Sequence, residues 1–164
     1  DKQLGKWTQN GLNLHYRIRP INKIYGTYWD ERGKSYEYPD DLNAWANFIE
    51  KFAERYDGDG VDDAPTNPKI IINSYQLVHE LSGNKNYWLA HPDQYAEVFE
   101  TTYKALKKAN PKTTLYMPVP NYYFMSAGIP VDSSEKTFLP EVLSRLQGKG
   151  MTDIGFDYHH WAKI

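Results

Sequence analysis

The feature that most constrains the fold is an alternation of short apolar segments with longer amphipathic ones. Four segments rich in β-branched and aromatic residues are typical of strands; they are residues 12–19, 70–78, 113–119 and 153–158. Between them, apolar side chains recur at helical spacing in residues 40–56, 92–110 and 137–147, and residues 4–9 resemble the end of a further helix. This alternation predicts a parallel sheet flanked by helices, an α/β fold.

The three long helical segments each carry one apolar stripe, which we expect to face the sheet. The stripes are Leu42, Trp45, Phe48, Ile49, Phe52 and Tyr56; then Tyr95, Val98, Phe99, Thr102 and Leu106; then Phe138, Val142, Leu143 and Leu146. Asp40 or Asp41 is the expected N-cap of the first, and Pro92 opens the second.

Length and charge exclude several classes of protein. A chain of 164 residues is long enough for one domain, which we place at residues 1–164. The net charge of −2, with both signs intermixed, provides no basic face for nucleic acid or an anionic membrane. No apolar run approaches the roughly 20 residues that span a bilayer, and the absence of Cys excludes thiolate metal sites.

Residues 57–63 form an Asp- and Gly-rich segment that superficially resembles a calcium-binding loop. An EF-hand loop needs an oxygen ligand at its fifth position and Gly at its sixth, where this chain has Val61 and Asp62. A tight acidic turn is therefore predicted, and no metal. As a helix-to-strand connection it belongs to the sheet edge opposite the strand-to-helix loops.

The strand-to-helix loops collect aromatic residues, and parallel topology brings these loops to one face. They hold Tyr25, Tyr28, Trp29, Tyr36, Tyr38, Tyr87, Trp88, Tyr122 and Tyr123, and Tyr158 and Trp161 follow the last strand. Aromatic faces beside amides suit sugar rings, and the candidate amide partners are Asn84, Asn86, Asn121 and Gln76. No glycine-rich phosphate loop and no GxSxG motif is present. An aromatic-lined carbohydrate groove is predicted.

Glu80 is the candidate catalytic carboxylate. It closes the most apolar strand segment, and α/β folds bind ligands at the carboxyl ends of their strands. A proton donor or acceptor needs such rigid placement. His79 precedes it, while His159 and His160 are adjacent and so point to opposite faces of a strand. We therefore expect neither a shared metal nor any cofactor.

These segments resemble the bacterial (β/α)8-barrel glycoside hydrolases of the clan A type. The resemblance rests on residues 53–63 followed by a strand that ends in Glu, on residues 92–111 with their Asn-Pro ending, and on Tyr158-His159-His160. It implies that the chain corresponds to about the third to sixth βα units. The implied fold is a parallel-stranded partial (β/α)8 barrel, roughly half a barrel, because a whole barrel needs about 250 residues.

The resemblance also implies a retaining hydrolase of poly- or oligosaccharides, with Glu80 as the acid/base. The resemblance implies His79, Tyr158, His159 and His160 as substrate-binding residues, and the predicted aromatic groove adds Trp29, Trp88 and Asn121. Two departures stand out: His79 replaces the family's Asn, and the family's nucleophile follows the seventh strand, which this chain does not reach. The alternatives are a non-catalytic carbohydrate-binding protein and a structural barrel fragment.

The expected partners are a carbohydrate substrate and either a second copy of the chain or a complementary barrel fragment, because an open half barrel leaves strand edges unpaired. Nucleic acid and membrane are not expected. The family's polysaccharide-degrading relatives imply a secreted or periplasmic location.

Overall fold

The computed structural model describes residues 2–20, 38–65, 69–78, 91–119 and 133–157, without the side chains of residues 133–136. Its elements are α1 (Lys2–Gln9), β1 (His15–Ile18), α2 (Leu42–Glu54), β2 (Ser74–Leu77), α3 (Pro92–Ala109), β3 (Thr114–Pro118), α4 (Ser133–Leu146) and β4 (Ile154–Asp157). The predicted alternation of strands and helices is confirmed. Each observed strand lies inside the longer segment predicted for it.

The four strands form one sheet in the order β1-β2-β3-β4, and every neighbouring pair is parallel. The register aligns Arg17 with Gln76, Gln76 with Tyr116, and Tyr116 with Gly155. The α/β class predicted from the sequence is thus confirmed. Four parallel strands with their helices are consistent with part of a (β/α)8 barrel.

Helix α2 begins as the sequence predicts, and Asp41 is its N-cap. The Asp41 carboxylate accepts hydrogen bonds from the backbone N–H groups of Asn43 and Ala44, at 2.8 and 3.0 Å. Its apolar stripe is correct except for Phe48, which is 52% exposed. The Phe48 ring lies 5.7 Å from the Trp45 ring and 6.0 Å from the Phe52 ring of the same helix, and it lines a groove beside β1 instead of entering the core.

Helix α3 is the most deeply buried helix among those described. It packs between α2 and α4, and its buried side chains are Tyr95, Ala96, Val98, Phe99, Thr102, Tyr103, Ala105 and Leu106. Every residue of its predicted stripe is among them. Thr102 also links two helices, because its hydroxyl accepts from the indole N–H of Trp45 at 2.9 Å and donates to the Val98 carbonyl at 2.7 Å.

The start of α4 differs from the prediction. The helix begins at Ser133, four residues before the predicted start at residue 137. Its first turn is Ser-Ser-Glu-Lys, which has no apolar residue, so hydrophobic periodicity does not detect it. The predicted core residues Phe138, Val142 and Leu146 are buried.

Side chains on the sheet face away from the helices make contacts between alternate strands. The rings of His15 (β1) and Tyr116 (β3) lie 5.1 Å apart in an edge-to-face arrangement, and Gln76 (β2) donates to Asp157 (β4). Side chains of next-but-one strands meet only where the sheet is concave on that face. Layers built from alternate strands are typical of the interior of (β/α)8 barrels.

None of the described helices is long and apolar enough to cross a membrane.

Both ends of the described sheet carry exposed apolar surface, and we propose that this surface mediates self-association. Phe48 lines a groove with Tyr16 and Phe52 beside β1, and Phe156 is 49% exposed on β4. We expect light scattering of the 164-residue chain to give a concentration-dependent mass above 19.1 kDa. Phe156→Glu should lower that mass.

The matched control is Val61→Glu, which adds the same charge at an exposed residue of the acidic turn, away from both strand edges. It should leave the mass unchanged. A monomer at every concentration would contradict the proposal.

Candidate functional site

The eight residues predicted for the site all lie outside the described residues: Glu80, His79, Trp88, Tyr158, His159, His160, Asn121 and Trp29. The structure describes the strand ends to which they are joined in sequence and the sheet face beneath those ends.

Backbone hydrogen bonds hold the strand ends together at the carboxyl edge of the sheet. The Val78 N–H donates to the Ile18 carbonyl, and the Val119 N–H donates to the Asp157 carbonyl, both at 2.8 Å. These bonds extend the β1–β2 and β3–β4 pairings by one step beyond the strands. The four strands β1, β2, β3 and β4 therefore end along one continuous carboxyl edge of the sheet.

Val78 has an unusual backbone conformation directly before His79. Its φ of 67° lies in the left-handed region, which a β-branched residue rarely adopts. Its side chain is buried, so the surrounding packing holds the strained backbone. Such strain is concentrated at binding and catalytic sites in proteins.

A row of polar side chains crosses the interior face just below this edge. Arg17 Nε donates to Gln76 Oε1 at 3.2 Å, and Gln76 Nε2 donates to Asp157 Oδ2 at 2.5 Å. Gln76 is only 1% exposed, whereas Arg17 is exposed and Asp157 is half-buried. The buried amide is thus satisfied by a charged group at each end.

His15 lies on the same face, next to this row. Its Nδ1 is 2.5 Å from Ser74 Oγ, and its ring meets the Tyr116 ring. Burial lowers the pKa of His15, and the Arg17 guanidinium lowers it further, while Asp157 and Gln76 act in the opposite direction. The neutral imidazole is therefore favoured at neutral pH.

Of these residues, sequence reasoning named only Gln76, as one of four amides for sugar hydroxyls. Arg17, Asp157, His15 and Tyr116 were missed. The available signal was the period-two pattern of β1, in which polar residues 15 and 17 alternate with apolar residues 16 and 18. Residues 15 and 17 therefore lie together on the sheet face away from the helices.

The structure removes Tyr38 from the predicted aromatic groove. Sequence position groups it with the loop aromatics, but its side chain is 7% exposed and belongs to the core. Its hydroxyl donates to Glu97 Oε2 on α3 at 2.6 Å. Burial, reinforced by that carboxylate, raises the pKa of Tyr38. The residue therefore anchors the segment before α2 and does not line a binding surface.

The acidic turn is confirmed as a tight turn at the opposite edge of the sheet. Asp63 closes it, accepting from the backbone N–H of Gly58 at 3.0 Å and of Gly60 at 2.9 Å, and pairing with Lys69 Nζ at 3.0 Å. The Ile72 N–H donates to the Tyr56 carbonyl, which places the turn at the amino end of β2.

The carboxylate of Glu54, the last residue of α2, has an oxygen within 4.8 Å of oxygens of Asp57 and Asp59 in the turn. The carboxylates of Asp57 and Asp59 accept from backbone N–H groups two residues on, at 3.2 and 2.7 Å. Desolvation and the neighbouring aspartates raise the pKa of Glu54. Local turn formation accounts for this cluster, which lies away from the carboxyl edge.

The chain has distant structural likeness to a glycosidase. The crystal structure of a glucosidase from Croceicoccus marinus is similar with a TM-score of 0.55 at 16% sequence identity. The match covers 95% of this chain and 35% of the glucosidase chain. No protein-family model and no curated protein matches the sequence. The likeness supports a glycoside hydrolase-like α/β fold, and this chain spans about a third of the length of that glucosidase.

Gly155 provides a first test of the interior face. A Cβ atom at this position would overlap the Tyr116 ring, which lies across β4. We expect Gly155→Ala to lower the free energy of unfolding by about 1–3 kcal/mol, as overpacking does. Urea denaturation followed by circular dichroism measures the change.

The matched control is Gly5→Ala on α1, where a Cβ meets nothing within 4 Å. That change should leave stability unchanged or raise it slightly, because alanine favours a helix over glycine. Equal destabilisation by both substitutions would show that Tyr116 does not occupy the space above Gly155.

Asp63 provides a second test, through pH. The Lys69 ammonium and the N–H groups of Gly58 and Gly60 hold the pKa of Asp63 below its ordinary value. Its contribution to stability is therefore fully present above the ordinary aspartate pKa and is lost as pH falls through the lowered one. Between pH 7 and pH 2, Asp63→Asn should lose less stability than the wild-type protein in thermal melts.

The control for Asp63→Asn is Asp62→Asn in the same turn. Asp62→Asn removes a carboxylate from the same turn without removing any of these hydrogen bonds. The difference in acid dependence between the two variants therefore measures the contribution of the Asp63 contacts. An unchanged acid dependence in Asp63→Asn would contradict the role of Asp63 in closing the turn.

Proposed function

We propose that the protein is a retaining glycoside hydrolase acting on a poly- or oligosaccharide, with Glu80 as its acid/base. One observation carries this proposal. β2, which has a paired strand on each side, ends at Leu77, and a carboxylate follows three positions later in the sequence. The glycoside hydrolase-like fold supports the proposal, because such folds bind ligands beyond the carboxyl ends of their strands.

The chemistry requires two carboxyl groups. Protonated Glu80 donates its proton to the glycosidic oxygen as the bond to the leaving group breaks, while a second carboxylate about 5 Å away attacks the sugar carbon. Glu80, now ionised, then takes a proton from the water that hydrolyses the glycosyl-enzyme. In this proposal the nucleophile comes from a segment outside these 164 residues, so the chain alone does not turn over substrate.

The remaining predicted site residues are proposed to bind the substrate. The indoles of Trp29 and Trp88 stack on sugar rings, and Asn121, His159 and His160 hydrogen-bond to hydroxyl groups. Tyr158 directly follows Asp157, the last residue of β4, in the sequence. His79 contacts the hydroxyl next to the reacting carbon, in place of the Asn of the resembling family.

The replacement of Asn by His79 favours a second candidate function. In that alternative the protein binds carbohydrate without cleaving it, because the contact that strengthens in the transition state has been lost. Binding without turnover by the full-length protein, with turnover gained in His79→Asn, would support this alternative.

Glu80→Gln tests the proposed hydrolase. We expect the protein in its natural full-length form to hydrolyse at least one member of a panel of 4-nitrophenyl α- and β-glycosides. Glu80→Gln should lower kcat by about 10²–10⁴-fold, the usual contribution of general acid–base catalysis. Proton NMR of the first-formed sugar should show retained anomeric configuration.

Glu141→Gln is the control, because it makes the same change at an exposed carboxylate of α4. It should keep wild-type activity. Full activity in Glu80→Gln, or inverted product, would contradict the retaining mechanism. Loss of sugar binding in Trp88→Ala would separate a carbohydrate site from a purely structural barrel fragment.

A further inference from the structure

The polar row below the carboxyl edge has a defined direction. Arg17 can only donate hydrogen bonds, so the amide oxygen of Gln76 must face it. The amide nitrogen then faces Asp157, where it donates to Oδ2. Because Gln76 is almost completely buried, its amide has no water with which to exchange these partners. The side-chain orientation of Gln76 is thus determined from both ends.

The packing of β3 and β4 gives the Gln76 side chain its path to Asp157. Gln76 is level with Tyr116 and Gly155 in the register, whereas Asp157 is two residues further along β4. The Tyr116 ring lies over Gly155, where no side chain competes for the space. The amide therefore spans β3 and reaches the carboxylate at the last position of the strand.

Asp157 combines three properties that a substrate-binding carboxylate needs. It ends β4 at the carboxyl edge, it is held by a buried donor, and it stays half-buried rather than enclosed. A carboxylate has about four acceptor sites, so it can bind Gln76 and sugar hydroxyls together. Arg17 bonds to the oxygen end of the Gln76 amide, whereas Asp157 bonds to its nitrogen end.

We propose that Asp157 is a substrate-binding residue that accepts hydrogen bonds from hydroxyl groups of the bound sugar. Gln76 is then the positioning residue, because its amide holds the Asp157 carboxylate in one orientation. The sugar at this point is then uncharged, since a uronic acid would place a second carboxylate against Asp157. This inference rests on the proposed glycoside hydrolase function and adds two residues and a substrate class to the same site.

Steady-state kinetics of Asp157→Asn tests the inference, in the full-length protein with the 4-nitrophenyl glycoside that the wild type cleaves fastest. We expect KM to rise about tenfold or more, as for the loss of a hydrogen bond to a charged group, with kcat within about twofold. Asp157→Glu, which keeps the charge but displaces it, should also raise KM. Asp153→Asn is the matched control, because Asp153 lies just before β4 at its amino end and pairs with Lys107.

Gln76→Met tests the positioning role. It should raise KM as Asp157→Asn does, and the double variant should be no worse than either single one, since both remove the same interaction. A merely structural role for Gln76 predicts additive effects that appear in kcat as well. As a check on substrate class, a hexuronic acid should inhibit the wild type more weakly than the matching hexose, and this difference should shrink in Asp157→Asn.

The outcomes separate this inference from the proposed function. If the wild type is active and Glu80→Gln is not, but Asp157→Asn and Asp157→Glu keep the wild-type KM, the inference is overturned and the function stands. If the wild type neither binds nor cleaves any glycoside of the panel, the function fails and the inference fails with it. Non-additive KM effects in the double variant support the inference.

Discussion

The packing of α3 against β2 and β3 is the constraint on which the rest of the structure depends. Val98 and Phe99 of α3 are fully buried in the same core as Leu115 and Met117 of β3, and burying each such side chain stabilises the fold by about 1.5–3 kcal/mol. Because side chains alternate along a strand, burying one set of residues against the helix turns the other set to the opposite face. The polar row of Arg17, Gln76 and Asp157 is the consequence of that alternation.

Sequence reasoning succeeded where the relevant signal was local. The α3 stripe, the Asp41 cap and the parallel strand order each follow from spacing or chain order. It failed where the outcome depends on distant residues. Phe48 has the right spacing for the core but lies at the end of the sheet, and Tyr38 has the composition of a loop aromatic but finds a partner on α3, 59 residues away.

The interior row could not be predicted for the same reason. Its two hydrogen bonds join residues 59 and 81 positions apart, and the second joins next-but-one strands, so it requires a concave sheet as well as the correct strand order. Periodicity reports the face on which a residue lies but not the curvature that brings two such residues together. In the same way, Gly155 carries no sequence signal of its importance until Tyr116 is known to lie above it.

A buried polar side chain lies within β2 and a strained backbone directly follows it, and this combination argues for a site at the end of the strand. Gln76 is a buried amide within β2, and Val78, just after it, has a left-handed backbone. A glycine at 78 would relieve the strained backbone, and apolar residues in place of the whole hydrogen-bonded row would avoid burying a polar group at all. A strand selected for stability alone would have neither feature. Strained backbone is typical of binding and catalytic sites, and a hydrogen-bonded buried amide fixes one arrangement of the strands around it, so both features favour the proposed site beyond the end of β2.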